Sequence, residues 1–225
     1  GKTHLAQILA TELFGSPQRM VRINLGDFAN AHDAQSLFGD AEHHLAANRR
    51  GVFTQRLMGH PFGVVLLDEF EKAHPSVHDR LLPLIDEGCF TNGAGELISC
   101  RSSIIIATSN AGAEVYRESA LGFTTPSDLG SKRDELERRL HEIFRFELLN
   151  RFDRIVHFHP LAREEIRKLA ARELQRLEQR PGLRRQQTQL NVDEAVLDWL
   201  AAHGYNAQFG ARFLKRTIER TATAA

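Results

Sequence analysis

Hydrophobic and polar positions follow two rhythms along this chain, and the switch between them divides it. In Gly63-Val64-Val65-Leu66-Leu67-Asp68-Glu69, four apolar residues run unbroken into two adjacent carboxylates. Such a run predicts a strand buried on both faces, as in a parallel sheet under helices. Asp68 and Glu69 then stand at its carboxyl end, where open α/β sheets place their ligands. Met20-Val21-Arg22-Ile23-Asn24-Leu25 reads as a shorter strand. Ser103 to Thr108 reads as a second buried strand ending in Ser109-Asn110, and Asp153 to Phe158 as one more. Leu5, Ile8, Leu9 and Leu13 recur at helical spacing, and Val52, Phe53 and Leu57 do so at the end of the polar stretch 33–59. Pro75 suits the first turn of a helix that Gly88 ends, with Pro83 inside it expected to bend it. Thr91 to Glu96 reads as a hairpin turn, and Lys132 to Phe144 as a charged helix after a polar loop.

Beyond Pro160 the period is helical throughout. Ile166, Leu169, Ala170, Leu174 and Leu177 make one face between Arg163 and Gln179. Pro181-Gly182 breaks that helix. Asp193 suits the cap of a helix carrying Val196, Leu197 and Leu200, and a last helix starts near Ala211. The pattern predicts an α/β domain over residues 1–159 and a small, mainly helical domain over residues 160–225. No internal repeat or low-complexity segment appears.

The first residues change the meaning of the Asp-Glu strand. The chain opens Gly1-Lys2-Thr3 and runs straight into the helical pattern. That is the back half of a phosphate-binding loop of the form G-x-x-x-x-G-K-[ST]. A helix amino terminus offers unpaired N–H groups and a positive dipole end to a phosphate. Lys2 adds a point charge and Thr3 a hydroxyl for Mg²⁺. Of Asp68 and Glu69, one suits a metal ion held through water and the other suits orienting or deprotonating an attacking water.

Composition narrows the field. Among 225 residues, 29 basic side chains balance 29 acidic ones, so nothing points to a nucleic-acid or membrane surface. No apolar run approaches the roughly 20 residues of a membrane span. The two cysteines, Cys89 and Cys100, read as ordinary reduced residues of a cytoplasmic protein. Of the eleven histidines, His43-His44 are adjacent and His157 and His159 would share a strand face. No further ligand stands at metal-binding spacing.

Other polar residues fall at informative places. Asn110 ends a strand that suits a neighbour of the Asp-Glu strand; its amide would position a water, or simply close an Asx-turn. Arg145 and Arg151 suit either a charge reaching a neighbouring subunit's nucleotide or surface ion pairs with Asp153 or Glu147. Arg212 opens a helix of the second part, to report nucleotide there or merely to be solvated.

In this order, these residues resemble the Clp-family AAA+ ATPases, most nearly the second ATPase module of ClpA, ClpB and ClpC. The stretches that carry the likeness are Leu66 to Pro75, Thr108 to Gly112, Leu149 to Asp153, Phe158 to Leu161 and Gly210 to Arg216. The resemblance implies Gly1, Lys2 and Thr3 as the Walker A motif, Asp68 and Glu69 as Walker B and Asn110 as sensor 1. It implies Arg151 as a finger acting in trans, Arg145 as a second arginine of that motif, and Arg212 as sensor 2. The implied cofactors are ATP and Mg²⁺. The implied fold is a five-stranded parallel sheet with a helical lid, assembled as a homo-oligomeric, hexameric ring that threads protein substrates. No nucleic acid or membrane is implied as a partner. In the family the strand before the phosphate loop lies centrally, between the strand ending at Asn110 and the strand Arg154 to Phe158. This sequence starts after it, so an open slot between those two is expected, in a trimmed piece of a longer protein that is poorly stable and binds ATP weakly alone.

Two departures from the family bear on function. The pore loop carries Gly-Tyr-Val-Gly in the family, whereas His43-His44-Leu45-Ala46 stands here, with His44 in place of the gripping tyrosine. Phe213 replaces a usual proline beside Arg212. Leu121-Gly122-Phe123 is similar to the tripeptide with which ClpA and ClpC dock on the ClpP peptidase, or is a loop tucked onto its own domain. A nucleotide-binding scaffold without turnover, and a motor on nucleic acid, are the alternative functions. Glu69, Asn110 and Arg151 argue against the first, and the even charge balance against the second.

Overall fold

The computed structural model describes residues 1–42, 46–60, 62–112, 128–185, 190–205 and 211–223. His43, His44 and the tripeptide Leu121-Gly122-Phe123 lie outside the described residues. The chain forms two compact units, Lys2–Val156 and His157–Ala225, with Gly1 counted in the second.

The larger unit is built on three parallel strands. β1 (Met20–Asn24) pairs with β2 (Val64–Asp68), and β2 with β5 (Ile104–Ala107). Every residue of β2 is buried, as its unbroken apolar run requires. Side chains alternate between the faces, so each strand supplies both layers. Val64, Leu66, Met20 and Ile106 meet Ala6 and Ala10 of α1 (Lys2–Phe14) on one face. Val21, Ile23, Val65, Leu67, Ile105 and Ala107 face the larger core. That core is closed by α2 (Asp33–Phe38), α3 (Ala46–Leu57), α4 (Pro75–Glu87), α5 (Asp128–Ile143) and the single turn α6 (Phe146–Leu149). Pro75 opens α4 and Gly88 ends it in the left-handed conformation, φ 70°.

Three expectations fail. β5 is not buried on both faces: among the described residues it pairs with β2 alone, and Ile104 is 37 % exposed. An apolar run identifies a strand but does not count its neighbours. Asp153 to Phe158 forms no strand, and Ile155, Val156 and Phe158 are exposed. Strand geometry is held by partners, and this segment pairs with none of the described strands. His157 and His159 therefore share no strand face. In α1 the face against the sheet is the small one, Ala6 and Ala10 with Leu9, while Leu5, Ile8 and Leu13 are exposed. Small side chains let the helix backbone approach the strands.

A second, antiparallel pair joins β3 (Cys89–Thr91) to β4 (Leu97–Ser99) through the expected hairpin. Buried Asn92 turns it: its Oδ1 accepts from the N–H groups of Ala94 and Glu96. Arg50 of α3 grips Glu96 at 2.7 Å. Phe53 stacks on Phe90 at 5.0 Å, with Phe38 edge-on to both. Beneath this cluster backbone crosses backbone. Gly39 and Gly51 have φ of +96° and +73°, and the helix α3 is interrupted at Gly51. A Cβ on Gly51 would lie 2.3 Å from the Gly39 nitrogen and 2.4 Å from the Phe38 carbonyl carbon.

In the smaller unit, α7 (Arg163–Glu178) packs Ile166, Ala170 and Leu177 against α9 (Glu194–His203) and α10 (Ala211–Thr223), through Leu200, Ala201, Leu214 and Ile218. A short α8 (Pro181–Arg185) follows the break after α7. Asp193 caps α9 by accepting from the Ala195 N–H. No helix among the described residues is long and apolar enough to cross a membrane.

The backbone crossing gives a paired stability test. Gly51→Ala forces a Cβ into backbone at positive φ and is expected to cost about 1–3 kcal/mol. Gly59→Ala meets nothing within 4 Å and is expected to be neutral or stabilising by up to about 1 kcal/mol. Denaturant midpoints measured side by side decide it; equal midpoints would contradict the packing described.

Candidate active site

Period-two geometry decides what gathers at the end of β2. Asp68 shares a face with Val64 and Leu66. In the observed register Met20, Arg22 and Asn24 of β1 lie on that face, and Thr108 continues the alternation of Ile104 and Ile106. Helix α1 covers the same face, and its first residues are Lys2 and Thr3.

Asp68 is 7 % exposed. The Thr108 hydroxyl donates to Oδ1, and Arg22 Nη2 donates to Oδ2 at 2.5 Å. Burial pushes the carboxyl up. The bonds from Thr108 and Arg22, the Arg22 charge and the Glu69 N–H outweigh that and hold it below its ordinary value. The carboxylate is thus ionised and fixed in place at neutral pH.

Directly after it the chain turns sharply. Glu69 has φ 58° and ψ 45°, the one non-glycine with positive φ among the described residues. A glutamate in that region stores strain of roughly 1–2 kcal/mol, which the neighbouring bonds must hold. Phe70 N–H donates to Thr108 O and Thr108 N–H to Leu67 O, both at 2.9 Å, so the turn is pinned to β5. The Glu69 carboxylate accepts from Lys72 Nζ at 2.9 Å. Gly26 makes room for it, since a Cβ there would stand 2.6 Å from Glu69 Oε2.

Lys2 and Asn110, 108 positions apart, meet at the same point. Lys2 Nζ donates to Asn110 Oδ1 at 2.7 Å and to Ser109 O at 2.5 Å. Burial lowers the Lys2 ammonium from its ordinary value, against the opposing charges of Glu71 and Asp68. The Asn110 N–H donates to Glu71 Oε1 at 3.1 Å. Thr3 follows Lys2 in the first turn of α1, half-buried.

Lys2, Asp68, Glu69 and Asn110 are therefore brought together, with Thr3 beside them. Arg145 and Arg151 are paired elsewhere among the described residues. Arg151 pairs with Asp86 and Glu147, and Arg145 with Asp79 at 2.7 Å. Glu147 was the foreseeable partner; Asp86 and Asp79, on α4, were not. Arg212 is exposed in the first turn of α10, in the other unit.

Sequence reasoning missed Arg22, Thr108, Glu71 and Gly26. Arg22 stands between the buried Val21 and Ile23, on the polar side of a short strand, and its partner follows only from the register. The assembled chemistry is specific. An ammonium and a hydroxyl at a helix start suit a phosphate, an ionised carboxylate suits a divalent cation, and a second carboxylate beside an amide suits an oriented water. A cage of three or more His, Cys, Asp or Glu is absent among the described residues. Mg²⁺ bound through phosphates, waters and one or two protein oxygens needs no such cage.

Comparison with known proteins identifies the family. A family model described as AAA domain (Cdc48 subfamily) matches residues 1–155, and one for the C-terminal D2-small domain of ClpB protein matches residues 161–224. The chain belongs to the AAA family as a Clp-type member. It is 36 % identical, over 99 % of its length, to the probable chaperone protein ClpB 1 of Chlorobaculum tepidum, of which it covers 51 %. Identity is 34 % to the ATP-dependent Clp protease ATP-binding subunit ClpC of Staphylococcus saprophyticus, with 98 % of this chain and 27 % of that protein covered. Its fold matches Hsp104 solved in a closed state with ATPγS and FITC casein. The TM-score there is 0.85 at 32 % identity, covering 98 % of this chain and 37 % of the other. The chain thus spans about half or less of the length of the relatives it matches.

The Asp68 pair makes a pH prediction. A carboxylate with a depressed folded pKa adds stability that is full above its unfolded value, about 3.9, and is lost as pH falls through the folded value. Arg22→Ala removes one cause of the depression. The parent's stability advantage over Arg22→Ala should be largest near neutral pH and shrink as pH falls below about 4. Unfolding free energies across pH 3 to 7 measure this, and a constant advantage would contradict the assignment.

Proposed function

We propose that this chain is the ATP-hydrolysing module of a Clp-type protein unfoldase or chaperone, with residues 1–159 as nucleotide-binding domain and residues 160–225 as lid. The observation that carries the reading is the meeting of Lys2 with Asn110 beside Asp68-Glu69, at the carboxyl ends of β2 and β5. Lys2 would bind the outer phosphates of ATP, with the N–H groups of the α1 amino terminus beside it. Thr3 and Asp68 would hold Mg²⁺, and the ion would supply charge neutralisation at the phosphates. Glu69 would orient the attacking water, helped by the Asn110 amide.

The residues fit this group. Asp68 is kept ionised where a cation would be met, and the half-buried Lys2 ammonium donates to two oxygen acceptors that a phosphate oxygen can replace. Arg151 would act on the nucleotide of a neighbouring subunit in a homo-oligomeric ring. Its present partners are surface carboxylates, which an incoming phosphate can replace. Arg212 would report nucleotide to the lid. Hsp104 is solved in complex with casein, which supports protein as the substrate class here. Feeding a peptidase is the second reading, favoured by the likeness to ClpC, a subunit named for the Clp protease.

Glu69→Gln in the full-length protein tests the reading. ATP affinity should stay within a few-fold of the parent while turnover falls about 10²-fold or more, as for loss of a general base. Equal turnover in parent and variant would contradict the role of Glu69. A parent that binds ATP without hydrolysing it would favour the scaffold alternative.

A further inference from the structure

We propose that Glu71 is a positioning residue for this site, holding the backbone at Asn110. The inference rests on the nucleotide reading above. Glu71 lies in the one-turn 3-10 helix Phe70–Lys72, two residues past Glu69. A surface glutamate there would have water on both oxygens. Here Oε1 takes the Asn110 N–H, 39 positions along the chain, and Oε2 is closed off from water with no hydrogen-bond partner among the described residues. A desolvated acceptor without a donor is costly, so Glu71 is held in place by its surroundings rather than by solvation.

Two further facts give that placement a use. Asn110 is gripped from two sides, its backbone N–H by Glu71 and its side-chain oxygen by Lys2. The strand before it is already fixed, because Thr108 exchanges backbone bonds with Leu67 and Phe70. When a phosphate draws Lys2 away from Asn110, the bond to Glu71 still sets the backbone of residue 110. The Asn110 amide is then released but not displaced.

Glu71→Ala and Glu71→Gln, made in the full-length protein, separate this role from mere stability. Hydrogen exchange of the peptide spanning residues 109–112 is followed without nucleotide, and kcat and KM are measured for ATP. Glu71→Ala removes the acceptor, so exchange there should speed up about tenfold or more. Its kcat should fall at least about tenfold while KM moves less than about threefold, because the water is misplaced rather than the nucleotide lost. The amide oxygen of Glu71→Gln still accepts the N–H, so it should restore the exchange protection and most of kcat. Exchange and kcat of Glu71→Ala within about twofold of the parent would overturn the proposal. Exchange in Glu71→Gln as fast as in Glu71→Ala would overturn it too. If the parent hydrolyses no ATP, the nucleotide reading falls, while the exchange data still decide whether Glu71 holds Asn110.

Discussion

The carboxylate of Asp68 is the constraint on which the rest of the larger unit depends. An ionised group buried at a strand end is tolerable only when paired. Its two donors come from opposite sides, Arg22 on β1 and Thr108 just past β5. A slip of one residue in either strand would turn that donor to the other face and leave the charge bare. One carboxylate therefore specifies the register of all three strands. The half-exposed Arg22 works through partial solvent screening, and buried Thr108 without it.

The chemistry follows from what that register delivers. With Asp68 fixed, the chain has one residue in which to turn, and Glu69 takes it in a strained conformation. Gly26 supplies the space, Lys72 the counter-charge and Glu71 a tie to Asn110. Helix α1 lies on the same face because Ala6 and Ala10 let it sit close, and this carries Lys2 to Asn110. The contacts that set the fold thus also aim the groups that would act on a nucleotide.

Much of this was legible in the sequence because it depends on local pattern. The apolar run before Asp68, the Lys2-Thr3 helix start, Pro75 and Gly88 at the ends of α4 and the Asp193 cap all announce themselves within a few residues. What stayed hidden depends on pairing. Glu71 reads as one more charge in an acidic turn until Asn110 is placed beside it. Asp153 to Phe158 has the composition of a strand but pairs with none of the described strands, and the large residues of α1 outweighed in pattern the small ones that do the packing. Periodicity names a face; it does not say which neighbour covers it.

The most direct test is a structure of the full-length protein with Mg²⁺ and a non-hydrolysable ATP analogue, read for one contact. The account predicts that Lys2 Nζ leaves Asn110 Oδ1 for a phosphate oxygen, while Asn110 N–H stays on Glu71 and Asp68 keeps its bond to Thr108. Nucleotide bound with Lys2 still on Asn110, or bound away from the ends of β2 and β5, would contradict it.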